Sequence, residues 1–373
     1  MRLCYLSNPN SIHTQRWVRY FAEQGNEVHL ISTLETPSYN LEGVQLYQLT
    51  SPIRVKKVRV LGLAYRLREL LSKIQPDILH AHQISTYGWL GALSGYHPFI
   101  ITVWGSDLLR KPQQSLIYRF LTGYALRKAD YVTCVSENLA QKARAFRISE
   151  HKLEVAPWGV DTSIFHPVSD EKQAQLREKL GFSSDPLVLS LRPVRPVYNP
   201  LTVAKAIPLI LQQVPQAKFI IRTYAYDRPL FDRFQAIVRQ NEAEKAIRYV
   251  GNLPHDEAIA ELYQVADVAL SVPFSDGTPL SVLEALACGN ALVLSDLPSL
   301  HEWVREKKEA LFVSTEDVQS LADAVIRLLL DEPLRRRLKE NALGMIQKRA
   351  DSQVWMNRAA NIYEELLVKD TLR

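Results

Sequence analysis

The stretch SDGTPLSVLEALACG, residues 275–289, carries the strongest structural signal in the chain. Thr278 is a good N-cap, because its hydroxyl can accept a hydrogen bond from an unpaired N–H of the first turn. Pro279 fits the first helical position, where no N–H is needed. A helix that begins here presents free N–H groups and a partial positive charge, which suits a phosphate. Asp276 precedes this start, and Glu284 lies about a turn and a half inside the helix, where it can accept hydrogen bonds from a ribose diol. The stretch therefore predicts a nucleotide site.

Length and composition indicate a globular protein of two domains. The chain has 373 residues, of which 47% are hydrophobic and 23% charged, as in ordinary globular proteins. Its three cysteines are odd in number and widely separated, which predicts reduced thiols rather than a disulfide framework. No apolar run reaches the length of a membrane span, and the N-terminus turns polar too quickly for a secretion signal. We expect a cytoplasmic protein.

The positive charge is concentrated in residues 51–75. Seven basic residues oppose one acid, Glu69, in this segment: Arg54, Lys56, Lys57, Arg59, Arg66, Arg68 and Lys73. After Leu63 the segment also has an apolar face at helical spacing. A basic amphipathic helix can dock peripherally on the anionic inner face of a membrane. An ordinary domain helix with a solvated basic face explains the pattern equally well. We expect no nucleic-acid partner.

Short apolar runs alternate with amphipathic stretches along the chain. This β-α-β rhythm predicts parallel sheets with helices on both faces, and it restarts after residue 180. The polar interval 159–180, which contains Pro167, has the character of a linker. The predicted fold class is therefore α/β, with two facing Rossmann-like, doubly wound domains and a cleft between the carboxyl ends of their strands.

Several motifs resemble one enzyme family. Asp276 and Glu284, with the helix LEALACG between residues 283 and 289, resemble the E-x7-E motif of retaining GT-B glycosyltransferases of family 4 (glycosyl transferases group 1), with Asp as the first acid. Residues 155–167 are similar to that family's hinge segment, and residues 248–254 to the strand and loop that usually contact the base. The resemblance implies a GT-B fold with three parts: an acceptor-binding domain at 1–165, a nucleotide-sugar donor domain at 166–350, and a helix at 351–373 that crosses back to the first domain.

The resemblance also implies a donor site. Glu284 would hold the ribose hydroxyls, and Asp276 would orient a sugar hydroxyl or stabilise positive charge at the anomeric carbon. Arg192 would offset the charge that grows on the diphosphate. Family members usually carry Lys where this chain has Tyr198, and Arg195 is the candidate for the missing charge, with an ordinary surface charge as the alternative. The remaining donor-binding candidates are Gly277, Thr278, Pro279, Leu280, Ser281 and Asn252.

The acceptor side departs from the family pattern at two places. The usual Gly-Gly turn after the first strand is missing, and His13 or Arg16 could reach the acceptor there. Trp104 stands where many members have a His near the reacting sugar; its ring can pack on a sugar but cannot transfer a proton. We expect Asp107 to take a catalytic role and His82 to face the cleft, although a structural His fits the same pattern.

The implied function is that of a hexosyl- or related glycosyltransferase (EC 2.4 class). It would move a sugar, with retention, from a nucleotide-diphosphate sugar to a glycan, lipid-linked or small-molecule acceptor in polysaccharide or glycolipid biosynthesis. No Asp-x-Asp sequence occurs, so we expect neither a metal nor another cofactor. A nucleotide-sugar epimerase or phosphorylase on the same scaffold is the second reading. A catalytically inactive GT-B protein that binds sugar nucleotides or a membrane surface is the alternative from another class.

Overall fold

The computed structural model describes residues 1–35, 41–51, 59–182, 184–253, 256–276 and 280–371. The chain divides into two units, one formed by Met1–Pro157 with Val354–Arg373 and the other by Trp158–Gln353. Each unit contains one sheet whose neighbouring strands are all parallel. The predicted α/β class with two doubly wound sheets is confirmed.

The first unit contains seven strands and its own set of helices. Its strands are β1 (Arg2–Leu6), β2 (Glu27–Ser32), β3 (Val44–Gln48), β4 (Ile78–His82), β5 (Phe99–Val103), β6 (Tyr131–Cys134) and β7 (Leu153–Val155). Its helices are α1 (Ile12–Glu23), α2 (Arg59–Ile74), α3 (Trp89–Ser94), α4 (Ser106–Leu109), α5 (Leu116–Lys128) and α6 (Glu137–Arg144). The strand order is β3-β2-β1-β4-β5-β6-β7, so the direction of winding reverses between β1 and β4.

The central strands of this sheet are apolar because both faces are covered. All five residues of β4 and all five of β5 are buried, as the continuous apolar runs in the sequence predicted. The buried polar exceptions are His80 and His82 in β4 and Thr102 in β5. Buried polar side chains such as these three normally form hydrogen bonds.

The second unit contains six strands. They are β8 (Leu187–Ser190), β9 (Lys218–Arg222), β10 (Ile247–Val250), β11 (Val268–Ser271), β12 (Ala291–Ser295) and β13 (Leu311–Val313). Its helices are α7 (Asp170–Lys179), α8 (Pro200–Gln213), α9 (Arg228–Gln240), α10 (Asp256–Gln264), α11 (Leu280–Ala287), α12 (Pro298–His301), α13 (Val318–Leu330) and α14 (Glu332–Arg349). The order β10-β9-β8-β11-β12-β13 reverses its winding between β8 and β11.

The final helix, α15 (Ser352–Thr371), belongs to the first unit from Val354 onward. Its Tyr363 hydroxyl lies 2.7 Å from His80 Nδ1, and the indole of Trp17 donates to the same hydroxyl at 3.3 Å. The Arg358 guanidinium also pairs with Glu154 at 2.7 Å. These contacts fix the end of the chain against β4, β7 and α1.

Two details of the predicted organisation differ from the structure. The interval predicted as a linker contains helix α7, which Ser169 caps by accepting a hydrogen bond from the N–H of Lys172 at 3.3 Å. Leu176 is the only fully buried residue of α7. The sequence of this helix therefore lacks the periodic apolar residues by which a helix is predicted. The chain leaves the first unit after Pro157 rather than after residue 165, because Val160 and Phe165 are buried in the core of the second unit.

The basic segment contains helix α2, and its predicted contact with a membrane stays a prediction. Residues 52–58 lie outside the described residues, and α2 buries the apolar face that begins at Leu63 within the first unit. None of the described helices is both long enough and apolar enough to cross a membrane.

Candidate functional site

Arg192 and Asp276 meet at the point where the second sheet reverses its winding. Arg192 follows β8 and Asp276 follows β11, and these two strands are hydrogen-bonded neighbours. The guanidinium forms an ion pair with the Asp276 carboxylate, and its Nε donates to Ser271 Oγ at 3.1 Å. The side chains of Arg192 and Asp276 are only 13% and 15% exposed, so water screens the pair weakly. Ligands of doubly wound sheets bind at such switch points.

Tyr198 contributes an aromatic face to this pair. Its ring centroid lies 5.2 Å from the guanidinium carbon of Arg192, where the family pattern predicts a second cation. Burial acts against the charged form of Arg192, but Asp276 and the surrounding tyrosines together outweigh it, so the pKa of the guanidinium is raised. Arg195, the predicted substitute cation, is exposed to solvent, and the carbonyl of Arg195 accepts from the N–H of Tyr198 at 2.9 Å.

Glu284 lies on α11 in a largely enclosed position. It is 7% exposed, and the Tyr263 hydroxyl donates to its Oε2 at 3.4 Å. Burial and the neighbouring Glu284 hold the pKa of Tyr263 well above its usual range, so this phenol stays a neutral donor. Burial likewise raises the pKa of Tyr224, while Arg192 and Arg222 act in the opposite direction. Two guanidiniums and the carboxylate of Glu284 therefore lie near one phenol.

The start of α11 offers a further polar group. Ser281 Oγ is buried and has no hydrogen-bond partner in the part of the chain that the structure describes, while Leu280 beside it is buried in the core. Asn252 follows β10 and is exposed. The predicted phosphate-binding residues Gly277, Thr278 and Pro279 lie outside the described residues, and their role stays a prediction. Within the described ranges, no cluster of three or more His, Cys, Asp or Glu side chains could hold a metal ion.

In the first unit, Asp107 connects the loops that follow β4 and β5. Its carboxylate accepts hydrogen bonds from the backbone N–H groups of Ile84 at 2.8 Å, Gly105 at 2.6 Å and Trp104 at 3.2 Å. Burial raises the pKa of Asp107, and the backbone donors oppose this effect. The contacts give Asp107 a clear positioning task at the carboxyl ends of both strands; its predicted catalytic role stays a prediction.

Three of the predicted acceptor-side residues form an aromatic cluster. The Trp104 ring lies edge-on to His13, with centroids 5.8 Å apart, and 5.6 Å from the ring of His82. Burial, with a smaller effect of His13, lowers the pKa of His82 to about 3, so its imidazole is neutral at physiological pH. Arg16, the fourth predicted residue, is partly buried on α1.

His80 has a structural environment instead. Its two ring nitrogens lie 2.7 Å from the hydroxyls of Tyr363 and Thr102, and Thr102 continues to Thr133 at 2.7 Å. Burial, with a smaller effect of His82, holds the pKa of His80 well below its usual range. Of the two histidines in β4, His82 is thus the one that contacts the ring of Trp104.

Sequence reasoning missed three side chains beside the donor-site candidates. Arg222, Tyr224 and Tyr263 come from β9, the loop after it and α10, and each lies far in sequence from Glu284. The one signal available was an arginine directly after the apolar run of residues 219–221. Charged residues at the carboxyl end of a parallel strand are typical of ligand sites.

Comparisons with known proteins identify the family of the chain. Residues 2–136 match the family model described as "Glycosyl transferase 4-like", and residues 172–345 match "Glycosyl transferases group 1". The chain belongs to the group 1 glycosyltransferases of the GT-B fold, and it is an enzyme of the glycosyltransferase class. These matches confirm the resemblance drawn from residues 275–289.

Individual relatives are distant but extend over most of the chain. The N-acetyl-α-D-glucosaminyl L-malate synthase of Bacillus anthracis is 24% identical, over 94% of this chain and 92% of the relative. The N,N'-diacetylbacillosaminyl-diphospho-undecaprenol α-1,3-N-acetylgalactosaminyltransferase of Campylobacter jejuni is also 24% identical, over 83% of this chain and 82% of the relative. Among solved structures, HepE of Anabaena in complex with UDP-glucose has a TM-score of 0.81 at 15% identity, with 98% of this chain and 100% of that chain covered.

Proposed function

We propose that the protein is a retaining, metal-independent glycosyltransferase that uses a nucleotide-diphosphate sugar as donor. The observation that carries this proposal is the enclosed Arg192–Asp276 pair at the switch point of the second sheet. The UDP-glucose complex of the fold relative HepE supports a donor of this chemical class. The two units would then divide the work, with the donor on the second and the acceptor on the first.

Donor binding follows from the chemistry of the second unit. Glu284 would accept hydrogen bonds from the two ribose hydroxyls, since its enclosed carboxylate offers two acceptor oxygens and its contact to Tyr263 is long. Ser281 Oγ would donate to phosphate or sugar. Arg192 has five N–H donors and could hold a diphosphate oxygen while it stays bonded to Asp276.

Charge stabilisation explains the chemical step. As the bond between the anomeric carbon and the diphosphate breaks, negative charge grows on the leaving phosphate and positive charge on the sugar. Arg192 is prepositioned to stabilise the phosphate and Asp276 the sugar. Retention requires attack from the face that the leaving group occupied, with the leaving phosphate as the base that takes the acceptor proton. No protein nucleophile takes part.

The acceptor is proposed to bind the first unit near Trp104. The indole ring offers an apolar face for a sugar ring, and Asp107 holds the backbone of residue 104 in place. Among the relatives, one name specifies L-malate and another a diphospho-undecaprenol acceptor, so both small-molecule and lipid-linked acceptors occur around this chain.

A lipid-linked acceptor is supported by an exposed apolar surface on the first unit. Helix α5, which Ser115 caps, exposes Leu116, Ile117 and Phe120 at 85%, 68% and 66%. Arg119 is exposed on the same helix, and helix α2 of the same unit also exposes Leu61 and Tyr65. Apolar side chains among cations suit an anionic lipid surface. We propose that this surface contacts the membrane at its cytoplasmic face.

Vesicle sedimentation tests the lipid surface. Wild type should sediment with phosphatidylglycerol vesicles at low salt and be released at high salt, because ionic strength screens the attraction. The triple variant Leu116→Ser, Ile117→Ser, Phe120→Ser should bind at least tenfold more weakly. A variant that sediments like wild type, or a wild type that never sediments, would contradict the lipid surface and leave the donor chemistry intact.

The reaction itself is tested by product analysis. Once a donor and an acceptor that react have been identified, NMR of the anomeric proton in the first minutes of the reaction reports whether the new linkage keeps the donor's configuration. The rate should change less than twofold when EDTA is added. An inverted product, or a rate that EDTA abolishes and Mg²⁺ restores, would contradict the proposal.

A further inference from the structure

Arg222 is a buried cation that forms no ion pair with a carboxylate among the described residues. It ends β9, is 5% exposed, and its Nε has no hydrogen-bond partner among the described residues. The ring centroid of Tyr224 lies 4.8 Å from its guanidinium carbon. A cation–π contact offsets only part of the cost of removing a charge from water. A buried guanidinium whose charge is offset only in part would be stabilised by an anionic ligand.

The fold places Arg222 beside Arg192. Ser190 of β8 pairs with Ile221 of β9, so Arg222 is level with the residue that precedes Arg192. The ring of Tyr224 lies 4.8 Å from the guanidinium carbon of Arg222, and the charges of both arginines act against the raised pKa of its hydroxyl. Arg222 therefore lies at the carboxyl edge of the sheet, where the proposed donor diphosphate would bind.

The arginine charges at this edge differ in how far a carboxylate or water offsets them. The charge of Arg192 is matched by Asp276, so the pair as a whole is neutral. A diphosphate brings at least two negative charges, and Tyr198 supplies a ring rather than a cation. Arg195 is exposed and its charge is hydrated. Arg222 is the enclosed cation beside the pair whose charge no carboxylate ion pair cancels among the described residues.

We propose that Arg222 binds the diphosphate of the donor and supplies the second positive charge that a lysine at position 198 would otherwise provide. The inference rests on the proposed function, because it needs a nucleotide-diphosphate donor. It replaces the sequence-based assignment of that charge to Arg195. It also assigns Tyr224 a positioning role, since the ring holds the guanidinium while the site is empty.

Calorimetric titration tests the proposal with defined probes. Wild type is titrated with UDP, GDP, ADP and dTDP, and then with the nucleoside that corresponds to the tightest binder. Arg222→Gln should weaken diphosphate binding about 10- to 150-fold, because a hydrogen bond to a charged group contributes about 1.5–3 kcal/mol. Nucleoside binding should change less than about threefold. Arg195→Gln, and the exposed control Arg233→Gln on α9, should leave both affinities unchanged.

The melting temperature without ligand separates a ligand-binding role from a structural one. Arg222→Met removes an unmatched buried charge, so its melting temperature should equal or exceed that of wild type while the ligand-induced shift is lost. A clearly lower melting temperature for Arg222→Met, equal losses for nucleoside and diphosphate, or a larger loss in Arg195→Gln would overturn the proposal. If wild type binds none of the diphosphates, the proposed function fails and the inference fails with it.

Discussion

The ribose-binding role of Glu284 gives a sharp quantitative prediction. The carboxylate is 7% exposed and accepts a long hydrogen bond from Tyr263 at 3.4 Å, and an ionised carboxylate has two oxygens with which it can also accept from a diol. Glu284→Gln keeps the shape but leaves one neutral acceptor oxygen. A charged hydrogen bond is stronger than a neutral one by roughly 1–1.5 kcal/mol, so two such bonds lost or weakened cost about 2–3 kcal/mol. We expect donor affinity to fall on the order of 30- to 150-fold.

A double-mutant cycle isolates the contact. Wild type and Glu284→Gln are titrated with a ribonucleoside diphosphate and with its 2′,3′-dideoxy analogue. Wild type should bind the dideoxy ligand more weakly than the ribose ligand. The variant should bind the two ligands with nearly equal affinity, because the substitution and the missing hydroxyls remove the same interaction. The exposed control Glu340→Gln on α14 should behave as wild type. The ribose assignment would be refuted if the substitution weakened binding of both ligands by the same factor. A rate of sugar transfer by Glu284→Ala within about threefold of the wild-type rate would also refute it.

Three further predictions concern Asp107, the β4 histidines and Arg192. Asp107→Ala leaves three backbone N–H groups without their acceptor and should lower the free energy of unfolding in urea by at least about 2 kcal/mol. Asp107→Asn should lower it by less. An Asp107→Asn variant that is inactive but as stable as wild type would favour a catalytic role for Asp107 instead. Because the folded-state pKa of His82 is about 3 and that of His80 is also lowered, the unfolded chain binds more protons below about pH 6.5. Stability should therefore fall as the pH drops from about 6.5 toward 3, by up to about 1.4 kcal/mol per pH unit for each histidine, and His82→Gln should reduce this slope in urea titrations at pH 7 and 5; an unchanged slope would contradict the assignment. Arg192→Lys keeps the charge but loses the fork that serves both Asp276 and phosphate, so kcat/KM should fall about 10- to 100-fold with little change in melting temperature, and a near wild-type kcat/KM would argue against its role.

Most of the fold could be predicted because its determinants are local. Parallel strands buried on both faces leave short apolar runs, and the alternation of these runs with amphipathic stretches predicted the two parallel sheets. Helix α7 was missed for the opposite reason, since it buries only Leu176 and is otherwise polar. Its caps and charges specify a helix that periodicity cannot detect.

The site was predicted only where the chain itself brings residues together. Asp276 and Glu284 are separated by eight positions in one motif, so their spacing was informative. Arg222 approaches Arg192 through strand pairing between β8 and β9, a contact that leaves no short-range signal. The three backbone donors to Asp107 are equally invisible, because a hydrogen bond to the main chain places no demand on residue type at Ile84 or Trp104. Arg195 was favoured for its nearness in sequence to Arg192, although its side chain is exposed.

The most direct test of the account is a thermal shift of the purified protein with UDP, GDP, ADP, dTDP and CMP, with and without EDTA. A ligand that binds only the native state raises the melting temperature by mass action, by an amount that grows with concentration over Kd. The account predicts a selective rise with one nucleoside diphosphate that EDTA does not change. The absence of a shift with every nucleotide would contradict a donor site in the second unit and favour a member of the family that has lost its activity.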